Sequence, residues 1–221
     1  MTSNLRATFD REFEAVRQEL IQMGEMVGLA IEQSMQALTE HDLALAQQII
    51  DHDQNINRAR FHIEEACLAL IATQQPAASD LRAIIAIMHM VVEMERMGDH
   101  AAGIAKTVIL MENEPMLKTF KKIPKMGELS RKMLGEAIQA YVNRDEQWAR
   151  QIAAKDEKMD ELYHDVFHRL VRVMAKKPEV VTRATYLMWT AHNLERIADR
   201  VTNIAEQIIF MTTGAMGELQ G

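Results

Sequence analysis

The chain has 221 residues, 25 basic and 32 acidic, with a net charge of −7 and a hydrophobic share of 48%. That length suits one large domain or two small ones, and the apolar share is enough for a buried core. The acidic balance argues against a nucleic-acid binder, the single Cys67 excludes an internal disulfide and any CxxC motif, and 9 Gly with 4 Pro leave little material for a turn-rich β protein.

From the N-terminus, Arg6, Asp10, Arg11 and Glu12 stand where a secretory signal would carry an apolar core, so a cytoplasmic protein is expected. Phe9, Phe13, Val16, Leu20, Met23, Val27 and Ala30 recur at spacings of three and four, the period of an amphipathic helix. Ile49, Ile56, Ile63 and Leu70 continue that pattern, as do Ile197, Val201, Ile204 and Ile208 near the other end. Proline costs about 3 kcal/mol inside a helix, so Pro76, Pro115, Pro124 and Pro178 mark junctions. Helices are predicted over 5–38, 43–73, 78–112, 118–142, 146–175 and 180–212, with Asp42 and Asp145 as N-caps of the second and fifth. The strongest apolar run, Ile84 to Val92, is broken by His89 and falls well short of the roughly 20 residues of a membrane span, so at most peripheral membrane association is expected.

The helices repeat. A shift of 103 lays Met23-Gly24-Glu25 on Met126-Gly127-Glu128, Gln36-Ala37 on Gln139-Ala140, Asp42 on Asp145 and Asp53 on Asp156. Later the shift becomes 100, laying Glu95-Arg96-Met97-Gly98-Asp99 on Glu195-Arg196-Ile197-Ala198-Asp199 and Ile104-Ala105 on Ile204-Ala205. A shorter connection near Pro178 than near Pro76 would account for the change. The expected fold is all-α: two tandem three-helix bundles, over 5–112 and 118–212, joined by a 113–120 linker. A three-helix unit can bury its own stripes, so the halves need not interlock.

Acidic pairs carry the functional signal. Glu95 and Asp99 are four apart, as are Glu195 and Asp199, which places each pair roughly 5–6 Å apart on one helix face. Two such carboxylates repel by about 3 kcal/mol at an effective dielectric near 20, so a cation, an Arg or water has to offset the repulsion. Arg96 and Arg196 offer i,i+3 ion pairs to Asp99 and Asp199, and one isolated pair would ordinarily be a solvated face. The second helices add to it: Asp53 and Asp156 interrupt apolar stripes, and Asn57 and Asp160 follow four residues on. An acid on an apolar stripe is costly unless paired or metal-bound. If the second and third helices of each half are antiparallel neighbours, Asp53/Asn57 would meet Glu95/Asp99, and Asp156/Asp160 would meet Glu195/Asp199. Such oxygen-rich groups suit magnesium, manganese, calcium or iron more than zinc. Glu95 and Asp99 lie on the shoulder of the stripe Met94, Met97, Ala101, Ile104, Val108, so the cation would sit near the surface. Glu161-x-x-His164 has di-iron spacing but lacks its second copy, since the repeat positions are Arg58 and Phe61. Gly24-x-x-x-Gly28 is read as a close helix contact, and the 17 Met as flexible core filling. No P-loop, dinucleotide fingerprint or nucleophile elbow is present.

Glu-Arg-x-x-Asp followed by Ile-Ala, twice and a hundred residues apart, with Gln74-Gln75-Pro76-x-x-Ser79-Asp80-Leu81-Arg82 ahead of the first copy, resembles the PhoU family over roughly 5–212. The resemblance implies E/DxxxD motifs able to hold iron, zinc, magnesium or manganese. It also implies a homodimeric, cytoplasmic accessory of the phosphate ABC transporter that restrains the phosphate regulon through the transporter ATPase and a sensor histidine kinase. Asn57 replaces an acid of the family pattern, and Gly98-Asp99-His100 becomes Ala198-Asp199-Arg200 in the second copy, so the two sites are expected to differ. The regulatory adaptor, with no catalytic turnover, is the favoured reading; a metal store or metal-dependent helical enzyme using the carboxylates is the alternative.

Overall fold

The structure, a computed structural model, describes residues 2–111 and 122–215, and among these it contains helices and no strand. The helices are α1 Thr2–Glu40, α2 Leu43–Gln74, α3 Ala78–Leu110, α4 Lys122–Asn143, α5 Glu146–Ala153, α6 Asp156–Lys176 and α7 Val181–Thr213, with a 3₁₀ turn at Pro178–Val180. The predicted 113–120 linker and the start of a helix at 118 lie outside the described residues. No helix is long and apolar enough to cross a membrane among the described residues.

The duplication extends to the turns. His41 and Arg144, repeat mates at a shift of 103, both take the left-handed conformation, with φ of 56° and 53°. The next residue caps a helix in each half. Asp42 Oδ1 accepts from the Leu45 N–H and Asp145 Oδ1 from the Trp148 N–H, both at 2.9 Å. A carboxylate there satisfies a backbone donor that the helix cannot, and favours the positive end of its dipole.

Helices α1, α2 and α3 pack as one three-helix unit and α4, α5/α6 and α7 as the other, and the units are packed on each other through α3 against α7 and α1 against α4. One hydrophobic core runs through both. The α3–α7 contact is antiparallel. Glu93 of α3 accepts from Arg200 Nη1 at 3.2 Å and Asn203 Nδ2 at 3.1 Å, and His100 Nδ1 lies 2.9 Å from Asn193 Oδ1. At a shift of 100, Glu93 corresponds to Asn193 and His100 to Arg200, so the two contacts are related by a pseudo-twofold axis. Burial holds the His100 ring below its ordinary pKa.

One expectation is corrected. The predicted helix over 146–175 is broken at Ala154–Lys155, where the Lys155 N–H tightens to the Ile152 carbonyl at 3.0 Å and Lys155 Nζ pairs with Glu136 of α4. Asp156 and Glu157 then occupy the first turn of α6, which acids favour. The apolar period runs on through Ile152, Met159 and Val166, and so hides the break. The change of shift from 103 to 100 lies in the connection, as expected: residues 75–77 separate α2 from α3, whereas only Lys177 separates α6 from the 3₁₀ turn Pro178–Val180 that runs directly into α7. Counted from Pro178, Glu195 is the eighteenth residue of its helical run, as Glu95 is of α3.

Glycines set the α1–α4 spacing. A Cβ at Gly24 would lie 2.8 Å from Ile138 Cδ1, and one at its mate Gly127 would lie 2.5 Å from Met35 Cγ; Met35 and Ile138 are mates too. Gly28 and Gly135 have open space. Gly127→Ala is therefore expected to destabilise, since overpacking costs about 1–3 kcal/mol, whereas Gly135→Ala is expected to raise Tm by about 2–4 °C through helix propensity. Thermal melts of both variants check the contrast.

Candidate metal centre

In each unit the second and third helices are antiparallel neighbours, and the four residues named from the sequence are brought onto their shared flank. Within the first group Asn57 Nδ2 lies 3.5 Å from Asp53 Oδ2, a weak contact along α2. Asp53 also lies against α3, where a Cβ on Gly98 would stand 3.2 Å from its Oδ1. Burial and then the Asp99 charge raise the pKa of both Asp53 and Glu95. A cation is already present: Arg60 Nη1 stands 3.4 Å from Glu95 Oε1, and its Nε 3.2 Å from Glu64. Asp99 is exposed, and Arg96 turns to Glu93 at 3.7 Å, so the anticipated Arg96–Asp99 pair does not form.

In the second group more of the acids act on one another. Burial, then Asp199, Asp160 and Glu195, push the Asp156 carboxyl up to about 6. Glu195 is raised by burial and by Asp199; Asp199 is raised by burial against the pull of Arg196 and Arg200. Here the i,i+3 pair does form, with Arg196 Nη1 donating to Asp199 Oδ2 at 2.6 Å. Asp156 Oδ1 and Glu195 Oε2 are nevertheless buried without a hydrogen-bond partner. His192 Nδ1 is 3.3 Å from that Glu195 oxygen but makes no hydrogen bond to it. Asp160 is exposed, and none of the candidate acids is fully buried, which places the groups on the flank and not in the core.

Among the described residues no three His, Cys, Asp or Glu side chains are already assembled as a metal-ion site. The chemistry still fits a cation unequally in the two halves. The second group has two orphaned buried oxygens and four acids. The first has three acids, an amide and Arg60. An orphaned buried carboxylate oxygen is costly unless something positive meets it.

Sequence reasoning missed Arg60, although its place at i+3 from Asn57 and i+7 from Asp53 put it on the same helix face. It also missed the polar contacts of Glu93, Asn193 and Arg200. The recurrence of polar residues at two repeat positions, 93/193 and 100/200, was the available signal.

Paired acidic flanks on a duplicated three-helix unit define a class of tandem-repeat helical protein. The PhoU domain matches this chain twice, over residues 20–108 and 123–208. Over 215 residues, 97% of its length, the chain is 34% identical to the phosphate-specific transport system accessory protein PhoU homolog of Pseudomonas aeruginosa, covering 89% of that protein. It is 33% identical to the homolog of Streptococcus pneumoniae over 97% of this chain and all of that one. The crystal structure of PhoU from Pseudomonas aeruginosa superimposes with a TM-score of 0.90 at 35% identity, over 94% of this chain and 100% of that chain. That of the phosphate transport system regulatory protein PhoU from Streptococcus pneumoniae also gives 0.90, at 33% identity over 96% and 100%. The chain belongs to the PhoU family.

The raised Asp156 carboxyl gives a pH test. A carboxyl whose folded pKa exceeds its unfolded value destabilises the fold increasingly as pH rises from about 4 through about 6, and fully above that. With chelator present, Asp156→Asn is expected to raise Tm at pH 7.5 by about 2–4 °C, the equivalent of about 1 kcal/mol once solvent screening is allowed for. The gain should vanish near pH 4. Melting curves of parent and variant across that range measure it.

Proposed function

We propose that this protein is a regulator of phosphate uptake, a helical adaptor of a phosphate-specific transport system. It restrains the phosphate regulon through the transporter ATPase and a sensor histidine kinase, from the cytoplasmic side and as a homodimer. The observation that carries the reading is relatedness along nearly the whole chain to proteins named for that transport system, in sequence and in fold. The architecture suits an adaptor. Helices of 32 to 39 residues, α1, α2, α3 and α7, give long stiff faces, and the shared core holds them in fixed relation. No turnover is assigned to it.

Metal ions belong to the same proposal. Asp156, Asp160, Glu195 and Asp199 would hold one in the second unit, and Asp53, Asn57, Glu95 and Asp99 in the first; iron, zinc, magnesium and manganese are the candidates. A bound cation would neutralise mutually repelling carboxylates and pin the second helix of each unit to the third. What the chain itself supplies is oxygen donors on two helices, an ion-paired Arg196 that orients Asp199, and an apolar floor beneath.

Deleting the gene is expected to raise expression of phosphate-uptake genes several-fold in phosphate-rich medium, with restoration on complementation. Unchanged repression in a reporter assay would refute the regulatory role. In protein purified without added metal, Glu195→Ala with Asp199→Ala is expected to remove more metal than Glu95→Ala with Asp99→Ala, because Arg60 already neutralises part of the first group. Elemental analysis of the two double variants decides; equal loss would count against the proposed asymmetry.

A further inference from the structure

At the far end of the second unit, away from its acidic group, Lys122 of α4 and Asp165, Arg169, Arg172, Val173 and Lys176 of α6 line a cleft of about 400 Å³. Four cations share it with one carboxylate, Asp165, which Lys122 engages. In a chain of net charge −7 this concentration is unusual, and it follows a wider segregation. Residues 1–111 carry 8 basic and 16 acidic residues, whereas residues 112–221 carry 17 and 16.

The fold does not require these cations. At the repeat shift of 103, Lys122 corresponds to Glu19, Arg169 to Ala66, Arg172 to Ala69 and Lys176 to Thr73. The first unit thus builds the same helix pair with no positive charge at any of the four positions. Local structure explains only parts of the cluster. Lys176 stands in the last turn of α6, where the helix dipole favours it, and Arg172 Nε donates to the His168 carbonyl at 3.2 Å. Neither accounts for like charges gathered on one face at spacings of three and four, where they repel.

We propose that this cleft binds a short chain of phosphate groups, as carried by a nucleoside triphosphate or inorganic triphosphate. Spacing selects the ligand. Arg169 and Lys176 are seven residues apart, a rise of roughly 10 Å along α6. One orthophosphate meets one or two of these groups, while two or three linked phosphates meet the row. Arginine forks grip phosphate oxygens in pairs, and lysine adds mobile point charge. Among the described residues the lining has no aromatic ring, so the phosphates are read and a base is not. A concave site suits a small polyanion better than a flat lipid surface.

The test is calorimetric titration of the full-length protein with inorganic triphosphate, ATP, orthophosphate and sulfate, and with phosphatidylglycerol vesicles in parallel, at about 0.1 M salt. EDTA keeps metal ions from bridging the ligand to the acidic groups, so the outcome is separable from that of the metal assignment. Triphosphate is expected to bind about tenfold or more tightly than orthophosphate, with ATP within about threefold of triphosphate. Arg169→Ala with Arg172→Ala should weaken triphosphate by about tenfold or more. Asp165→Asn, which removes the competing carboxylate and releases Lys122, should strengthen it. All three positions are exposed, and circular dichroism confirms folding of the variants. The proposal is overturned if the double variant binds triphosphate as the parent does, or if orthophosphate and sulfate match triphosphate. It is also overturned if only vesicles bind, or if the substitutions change the oligomeric state while triphosphate shows no binding.

Discussion

Helices α3 and α7 lie antiparallel along much of their length, and that contact makes one body of two repeats. Its consequence is visible in α3, whose buried residues include Ala83, Ile84, Ala86, Ile87, Met90, Val91, Met94, Met97 and Gly98, far more than one stripe. A helix apolar over most of its circumference has neighbours on several sides. For α3 these are α1 and α2 within its own unit and α7 beyond it. Apolar packing alone would leave the register along such a smooth seam weakly fixed. Glu93 with Arg200 and Asn203, and His100 with Asn193, fix it. Glu93 and Arg200 are only 15% and 16% exposed, so sliding the helices would strand a poorly solvated charge, which is more costly than the pair is stabilising.

The duplication explains the plan, and the departures from it explain the chemistry. Glycine mates Gly24 and Gly127 meet side-chain mates Ile138 and Met35 across α1 and α4, so that seam retains its symmetry. The acidic flanks have lost theirs. Asn57 stands where its mate is Asp160, and Arg60 where its mate is Tyr163. The first group thereby has three acids, with Arg60 against Glu95. The second has four, with Arg196 and Arg200 acting on Asp199 while Asp156 Oδ1 is left without a partner. The break at Ala154–Lys155 belongs to the same divergence, because it puts Asp156 in the first turn of α6, whereas its mate Asp53 sits mid-helix in α2.

Much of this was legible in the residues. Apolar periods gave the helices to within a few residues where they are described, proline marked the junctions, and Asp42 and Asp145 announced their caps because that chemistry is local. The pairing of second with third helices also followed, since short connections make antiparallel neighbours. What escaped was whatever depends on the third dimension. The turn at Ala154–Lys155 involves an ion pair to Glu136 on another helix, and nothing in the 146–175 pattern records it. The close union of the halves escaped for a similar reason: the width of the apolar surface on α3 says that a further neighbour exists, but not which helix supplies it. Arg96 and Arg196 show the limit most clearly. Their sequence contexts are nearly identical, yet Arg196 pairs with Asp199 while Arg96 turns back to Glu93.

Arg200 links the seam to the second acidic group. Its guanidinium stands 3.2 Å from Glu93 across the seam, and its charge also lowers the pKa of the adjacent Asp199 against the effect of burial. One cation therefore serves two carboxylates, of which only one belongs to the acidic flank. Coulomb energies add, so the Arg200–Glu93 attraction is the same whatever the charge of Asp199, and Asp199 is a second carboxylate that favours the Arg200 charge at the seam. The corresponding residue of the first unit is His100, whose ring burial holds below its ordinary pKa and which meets Asn193, not a carboxylate, across the seam. An arginine shared between the acidic flank and the seam is thus a feature of the second repeat, where Arg200 stands at the position that His100 holds in the first.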